Sequence, residues 1–149
     1  MDLKYYLALV FATSLVGCAI GKSATRFDTS NVASLELHDI DPSTKPHVFI
    51  SDGRYVVPES DVHALFARSG KKRLTVWKGA MLGVARMKDG KEIRMAFSYS
   101  DAAVRMLDSG QTYYLDEVSA RQYGKTLEAA FKAFGPARKA QMEKRKLGR

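Results

Sequence analysis

The chain has 149 residues, of which 46% are hydrophobic and 27% charged, and its formal net charge at pH 7 is +8. These fractions are ordinary for a globular protein, and the length suits one domain with a single hydrophobic core. The single cysteine excludes a disulfide framework within the chain and a thiolate metal site.

The start of the chain has the pattern of a signal peptide. Residues 5–16 form an uncharged apolar run of 12 residues. A membrane-spanning helix needs about 20 apolar residues, so this run is too short to span, and it has the length of a signal-peptide core. The run ends in Leu15-Val16-Gly17-Cys18, which resembles the lipobox of bacterial lipoprotein precursors.

The resemblance implies how the chain is processed and anchored. In lipoprotein precursors the signal peptidase recognises the lipobox and cuts before its cysteine, which here would remove residues 1–17. Cys18 would carry the lipid, with fatty acids such as palmitate, and hold the protein on a membrane. Ala19 would favour the outer membrane, facing the periplasm, in a Gram-negative cell. The alternatives are an ordinary secretory signal with an incidental cysteine, and an internal helix whose apolar face ends in Gly17-Cys18.

The remaining chain divides into a tether, a domain and a tail. Residues 18–31 are small and polar without sustained periodicity, which predicts a lipidated N-terminus and tether reaching at most about 45 Å. A single domain is expected over residues 32–135. Residues 136–149 carry six cations against one carboxylate, which predicts a basic tail.

The domain is predicted to begin with strands. Leu35 and Leu37 alternate with polar neighbours over residues 32–40, as in a half-buried strand. Residues 48–57 are predicted to form a hairpin, because Asp52-Gly53 lies between two apolar runs and supplies the residue types of a two-residue type I′ turn.

A helix is predicted next, from Pro58 to about residue 69. The start is acidic, Val62, Leu65 and Phe66 supply an apolar face at helical spacing, and Gly70 suits the end.

The sheet core is predicted over residues 73–97. Leu74 and Val76 alternate as in a strand, and Asp89-Gly90 predicts a second two-residue hairpin turn. That turn predicts three cross-strand pairs on one face: Val84 with Met95, Leu82 with Phe97, and Arg86 with Ile93.

Three elements are predicted in the last third of the domain. Residues 101–107 suit one or two helical turns, residues 112–115 a strand, and residues 118–134 a helix that ends at Gly135-Pro136. Its apolar face comprises Tyr123, Leu127, Ala130, Phe131 and Phe134. Together the elements predict an α+β fold with a mainly antiparallel sheet of about 5–6 strands, two helices packed on it and a basic C-terminal tail.

Catalytic and metal-binding patterns are weak. The three histidines, His38, His47 and His63, have no metal-ligand spacing, and the sequence around His38, HDID, is more typical of a solvated strand end than of a metal site. GxSxG and glycine-rich phosphate loops are absent from the sequence. We therefore expect no metal and no cofactor, and a non-catalytic role is favoured. A small periplasmic hydrolase is an alternative, which would need His38 or His63 to cluster with carboxylates in a cleft.

Two basic regions are candidates for binding an anionic partner. Their residues are Lys71, Lys72, Arg73, Trp77 and Lys78 in the domain, and Lys144, Arg145 and Lys146 in the tail. A tryptophan beside cations suits anionic or aromatic partners. The alternatives are that Trp77 fills the second face of the sheet, that the cations protect an edge strand from unwanted pairing, and that the tail is only solvated.

The sequence predicts a cell-envelope lipoprotein with a small non-catalytic domain that binds another envelope protein, as an assembly accessory, an inhibitor or an immunity-type protein. The alternative is a module that binds an anionic envelope polymer such as peptidoglycan, or anionic lipid, through the basic regions. Nucleic acid is not expected as a partner, because an exported lipoprotein rarely meets it.

Overall fold

The computed structural model describes residues 27–41, 48–72 and 74–148. The predicted signal and lipobox with Cys18, most of the tether, His47 and Arg73 lie outside those residues. The described elements, in chain order, are β1 (Val32–Asp41), β2 (Val48–Val57), α1 (Glu59–Leu65), β3 (Ala80–Met87), β4 (Glu92–Ser98), β5 (Ala103–Met106), β6 (Thr112–Tyr114) and α2 (Glu117–Leu147).

The strands form one antiparallel sheet in the order β2-β1-β3-β4-β5-β6. The predicted α+β class, strand number and pair of helices are therefore confirmed. β2 and β6 are the edge strands, and β1 lies between β2 and β3 because the chain returns across α1 before β3 begins.

One face of the sheet, the covered face, packs against both helices and forms the core. Leu35 and Leu37 of β1 point into it and are fully buried, which confirms the predicted alternation. Phe97 of β4 stacks on Tyr123 of α2, with ring centroids 5.8 Å apart. The opposite face, the open face, is covered by neither α1 nor α2.

Asp116 caps the start of helix α2, and its side chain accepts a hydrogen bond from the Ser119 backbone N–H at 2.9 Å. The prediction that Gly135-Pro136 ends this helix is wrong, because α2 runs through Pro136 to Leu147. A proline removes one backbone hydrogen bond and costs about 3 kcal/mol in a helix interior. Arg138, just beyond it, is bound to a buried residue of the sheet, and that contact holds the continued helix in place.

The predicted hairpin at Asp52-Gly53 is wrong, because residues 48–57 form the single strand β2. Around Asp39, a stretch of two residues along β1 is paired with a stretch of five residues along β2. The extra residues of β2 form a bulge, and Asp52-Gly53 lies in that bulge rather than in a turn. Gly53 does not have a positive φ. Its small size is required because Phe134 packs on it: a Cβ at residue 53 would lie 2.9 Å from the Phe134 Cδ1 atom.

The β3–β4 hairpin forms at the predicted Asp89-Gly90, but its predicted register is wrong by one residue. The Met87 N–H donates to the Lys91 carbonyl at 2.8 Å, and Gly90 but not Asp89 has a positive φ, so the loop has three residues instead of two. The observed pairs are Met81 with Phe97, Gly83 with Met95, and Ala85 with Ile93.

This shift exchanges the two faces of β3 relative to the prediction. Met95 and Phe97 face the core as predicted, but Leu82 and Val84 lie on the open face, since a one-residue slip exchanges the two faces of a strand. The Phe97 ring packs directly on Gly83, where a larger residue would collide with it.

Three further segments differ from prediction. Residues 103–106 form β5 rather than helix, because Val104 and Met106 become buried when the segment pairs with β4. Leu74 and Val76 are exposed in the connection before β3, and Leu74 is 93% exposed. Helix α1 ends at Leu65 instead of near residue 69, because the Gly70 N–H donates to the Tyr114 carbonyl at 2.6 Å.

Candidate functional site: a groove on the open face of the sheet

The predicted cations do not form one surface. Lys71 and Lys72 are exposed beside the start of α2, whereas residues 144–146 are exposed on its last turn. With 31 residues, α2 is roughly 45 Å long at 1.5 Å per residue. Trp77 and Lys78 lie in a third place, at the end of the sheet where β1 ends and β3 begins.

Trp77 and Lys78 line a groove of about 580 Å³ on the open face, which we call the tryptophan groove. Its apolar lining residues are Ile40, Ile50, Trp77, Ala80, Ala96 and Leu107. Its cations are Lys78 and Arg105, and the described lining includes no carboxylate. An apolar concavity that carries cations at its margin suits a ligand that is apolar in part and negatively charged in part.

Local backbone geometry brings Trp77 over the sheet. Gly79 has a φ of +141°, which an L-residue rarely adopts, and the Tyr99 ring packs where its Cβ would be. The Tyr99 N–H donates to the Gly79 carbonyl at 3.1 Å, and the Ser100 hydroxyl donates to the Val76 carbonyl at 2.5 Å. These contacts tie the connection before β3 to the end of β4, which positions Trp77.

Arg105 is the groove residue that sequence reasoning missed. Its guanidinium carbon lies 4.4 Å from the centroid of the Trp77 ring, and its Nε donates to the Thr112 hydroxyl at 3.4 Å. A signal for it was present: in Val104-Arg105-Met106 the polar residue lies between two apolar ones, and a strand would place Arg105 on the opposite face from its neighbours. The prediction of a helix over residues 101–107 concealed that alternation.

A charged band lies next to the groove on the open face and shares Ile40 with it. We define this band as Glu36, His38, Arg86, Glu92 and Arg94. The Arg86 guanidinium lies 3.9 Å from a Glu36 oxygen and 3.4 Å from a Glu92 oxygen. Burial lowers the pKa of His38, although Glu36, 3.5 Å away, acts to raise it.

Asp39 belongs to the HDID sequence, for which a solvated strand end is the favoured interpretation. It is instead fully buried in the bulge. The Ser51 hydroxyl donates to it at 2.5 Å, and Arg138 donates to both of its oxygens at 2.8 and 2.6 Å. Burial acts to raise the pKa of Asp39, but these hydrogen bonds and the guanidinium charge outweigh it, and the pKa lies below its ordinary value of 3.8. The carboxylate is thus engaged in holding the fold together.

The structure does not bring His38 and His63 together. His38 lies in the charged band, whereas His63 lies on α1, with its Nδ1 atom 2.8 Å from the Thr29 hydroxyl. In the parts of the chain that the structure describes, no group of three or more His, Cys, Asp or Glu side chains could hold a metal ion. None of the described helices combines the length and the apolar character needed to cross a membrane.

Comparison of the chain with protein-family models, with curated proteins and with solved structures finds no match.

Proposed function

We propose that this protein is a lipid-anchored protein of the bacterial cell envelope whose domain binds another envelope protein in the tryptophan groove. The observation that carries the proposal is the groove itself: about 580 Å³ of mainly apolar concavity on the sheet face that neither helix covers. The occupant is a segment of the partner that carries an apolar anchor and an acidic residue.

The groove has the composition of a protein-binding site. Trp and Arg are enriched among the residues that contribute most to protein–protein binding, and here Trp77 and Arg105 lie in contact beside the apolar floor. Ile50 adds an apolar side chain at the rim that is 42% exposed. Charge complementarity favours an acidic partner, because the described lining has two cations and no carboxylate.

The envelope location is supported by the resemblance of residues 15–18 to a lipobox. Two or three acyl chains hold a protein on a membrane essentially permanently, whereas one chain binds reversibly. A lipid at Cys18 would therefore confine the domain to the membrane surface, where its partner would be an envelope protein.

Site-specific crosslinking in cells tests the proposal. A photo-crosslinking amino acid in place of Leu107, at the groove, should capture another envelope protein in the full chain, whereas the same amino acid in place of Lys125, on the outer side of α2, should not. Adding Ile50→Asp should reduce capture at position 107 by about tenfold, because it replaces an apolar contact at the rim with a charge that the apolar anchor of the partner would meet.

The control is Val56→Asp. Val56 lies on the same strand as Ile50, is 54% exposed and does not line the groove, so capture should persist in that variant. Equal capture with Ile50→Asp and Val56→Asp, or crosslinks only to a second copy of this chain or to lipid, would overturn the proposal.

A second candidate function is binding of an anionic surface by the free end of α2. Lys144, Arg145 and Lys146 are exposed on its last turn. Each cation near an anionic membrane contributes about 1 kcal/mol. Replacing all three by glutamine should therefore weaken sedimentation with phosphatidylglycerol vesicles by about a hundredfold. Because Arg138 contacts the sheet, these substitutions are a cleaner test than deletion of the tail.

The matched control for that test replaces Arg121, Lys125 and Lys132, three exposed cations of the same helix, by glutamine. It should leave vesicle binding close to that of the unaltered chain. Equal losses in the two triple variants would show that net charge alone matters and would reject a site at the end of α2. Sedimentation with purified peptidoglycan distinguishes that polymer from lipid.

A further inference from the structure

The guanidinium of Arg105 is held in a fixed position although its side chain is exposed. One face of the guanidinium stacks on Trp77 at 4.4 Å from the ring centroid, and its Nε donates to Thr112 on the neighbouring strand β6. Free arginine side chains lose rotamer entropy when they become ordered. Here part of that loss has already occurred before any ligand binds, because two contacts restrict the side chain.

The terminal nitrogens of Arg105 have no acidic partner among the described side chains, which are those of residues 27–40, 50–72 and 74–148. The ion pairs of these side chains engage other cations, among them Arg68, Arg86, Lys132 and Arg138, and none includes Arg105. The chain therefore orders a guanidinium without using it for an ion pair within these segments. Two terminal N–H groups on one edge match the two oxygens of a carboxylate.

The apolar surroundings of Arg105 would strengthen an ion pair that it forms with a ligand. In the β4–β5 register, Arg105 lies opposite Ala96 of the groove floor, next to Leu107. A ligand with an apolar side chain on that floor would exclude water from the guanidinium edge, and an ion pair gains strength as the local dielectric constant falls.

We propose that Arg105, positioned by Trp77 and Thr112, binds a side-chain carboxylate of the partner and so selects an acidic residue next to the apolar anchor in the groove. This inference rests on the proposed function, since it assigns the charged contact of the same groove. Trp77 and Thr112 act as positioning residues. Lys78 also lines the groove and adds positive charge to it.

A random peptide library, displayed on phage and selected on the full chain in detergent micelles, tests the proposal. The selected peptides should be enriched in Asp or Glu beside an apolar residue. Synthetic copies without tryptophan can then be titrated by the fluorescence of Trp77, the chain's only tryptophan. Arg105→Gln should weaken their binding by about tenfold or more, as expected for loss of a hydrogen bond to a charged group.

Three variants separate recognition from a structural effect. Arg105→Glu should bind peptides in which the acidic residue is replaced by lysine better than it binds the originals. Thr112→Val, which keeps the charge of Arg105 but removes its hydroxyl partner, should weaken binding by a smaller factor. Arg121→Gln, a loss of one exposed cation on α2, should change nothing, and circular dichroism verifies that each variant is folded.

Several outcomes would overturn the inference. They are selected peptides without acidic enrichment, equal affinity for Arg105→Gln and the unaltered chain, and binding that depends on a free peptide C-terminus instead of the side-chain carboxylate. The first two outcomes are compatible with a groove that binds protein through apolar contacts alone, and the third with a groove that binds the end of a chain. The crosslinking comparison of Ile50→Asp with Val56→Asp decides that separate question.

Discussion

Arg138 donates from its Nε and Nη2 atoms to the two carboxylate oxygens of Asp39, at 2.8 and 2.6 Å, across 99 residues of sequence. Asp39 is fully buried in the β1–β2 bulge, and Arg138 lies on α2 just beyond Pro136. The pair joins an irregular part of the sheet to the part of the helix that a proline weakens. One cation that sequence analysis assigned to a basic tail is thus part of the folded domain.

We expect Arg138→Met to lower the free energy of unfolding by about 3 kcal/mol, because it leaves the Asp39 carboxylate buried without its counter-charge. Urea unfolding followed by circular dichroism measures the change. The double variant Asp39→Leu with Arg138→Met should be less destabilised than Arg138→Met alone, since it removes the unpaired charge. Lys139→Met, at the next, exposed position, is the control, and an effect of the same size there would contradict the assigned role.

The same pair predicts how stability depends on pH. The folded-state pKa of Asp39 lies below the ordinary value of 3.8, so the unfolded chain binds a proton more readily than the folded one. The ionised carboxylate therefore stabilises the fold above pH 3.8, and this contribution is lost as the pH falls through the folded-state pKa. Unfolding free energies measured over this acid range should fall more steeply for the unaltered chain than for Asp39→Asn. Parallel curves for the two proteins would be evidence against the pair.

Glycine substitutions test the contact between α2 and the bulge. Gly53→Ala should destabilise the protein by about 1–3 kcal/mol, because its Cβ would lie 2.9 Å from Phe134 Cδ1 and 3.1 Å from Phe134 Cα. Gly124→Ala, in the exposed part of α2 with no atom near the new Cβ, should instead stabilise by up to about 1 kcal/mol. Opposite signs in thermal unfolding are the expected result, and a stabilising Gly53→Ala would refute the packing argument.

The lipid anchor has a direct test. Cys18→Ala should abolish incorporation of labelled palmitate and leave the precursor uncut, since the chain has no other cysteine. Labelling and gel mobility in a bacterial host measure both effects. The matched control is Ser14→Ala, inside the apolar run, which should be labelled and cut normally. Persistent labelling of Cys18→Ala would reject the lipoprotein assignment.

Local patterns predicted the elements whose signals depend on neighbouring residues alone. The alternation of Leu35 and Leu37 predicted β1, the apolar spacing from Tyr123 to Phe134 predicted the packed half of α2, and Asp89-Gly90 predicted the hairpin between β3 and β4. In each case the period of the side chains or the φ requirement of a turn is a property of a few consecutive residues.

The register between β3 and β4 needed more than local information. Asp-Gly is compatible with loops of two and of three residues, and the choice depends on which side chains fill the core. The packing of Phe97 on Gly83 selects the three-residue loop. It thereby places Leu82 and Val84 on the open face. That choice shaped the open face on which the tryptophan groove lies.

The sequence by itself determined the α+β class, the periodic elements and the one motif, at residues 15–18, that is specific enough to propose an address in the cell. Tertiary structure decided that Asp52-Gly53 is a bulge, that α2 continues past Pro136 and that Arg105 lies on Trp77. The physical reason is that these three features depend on contacts between residues distant in the chain: Gly53 with Phe134, Asp39 with Arg138, and β5 with its neighbouring strands. Local preferences are worth about 1 kcal/mol per residue, and burial and ion pairing across the fold outweigh them.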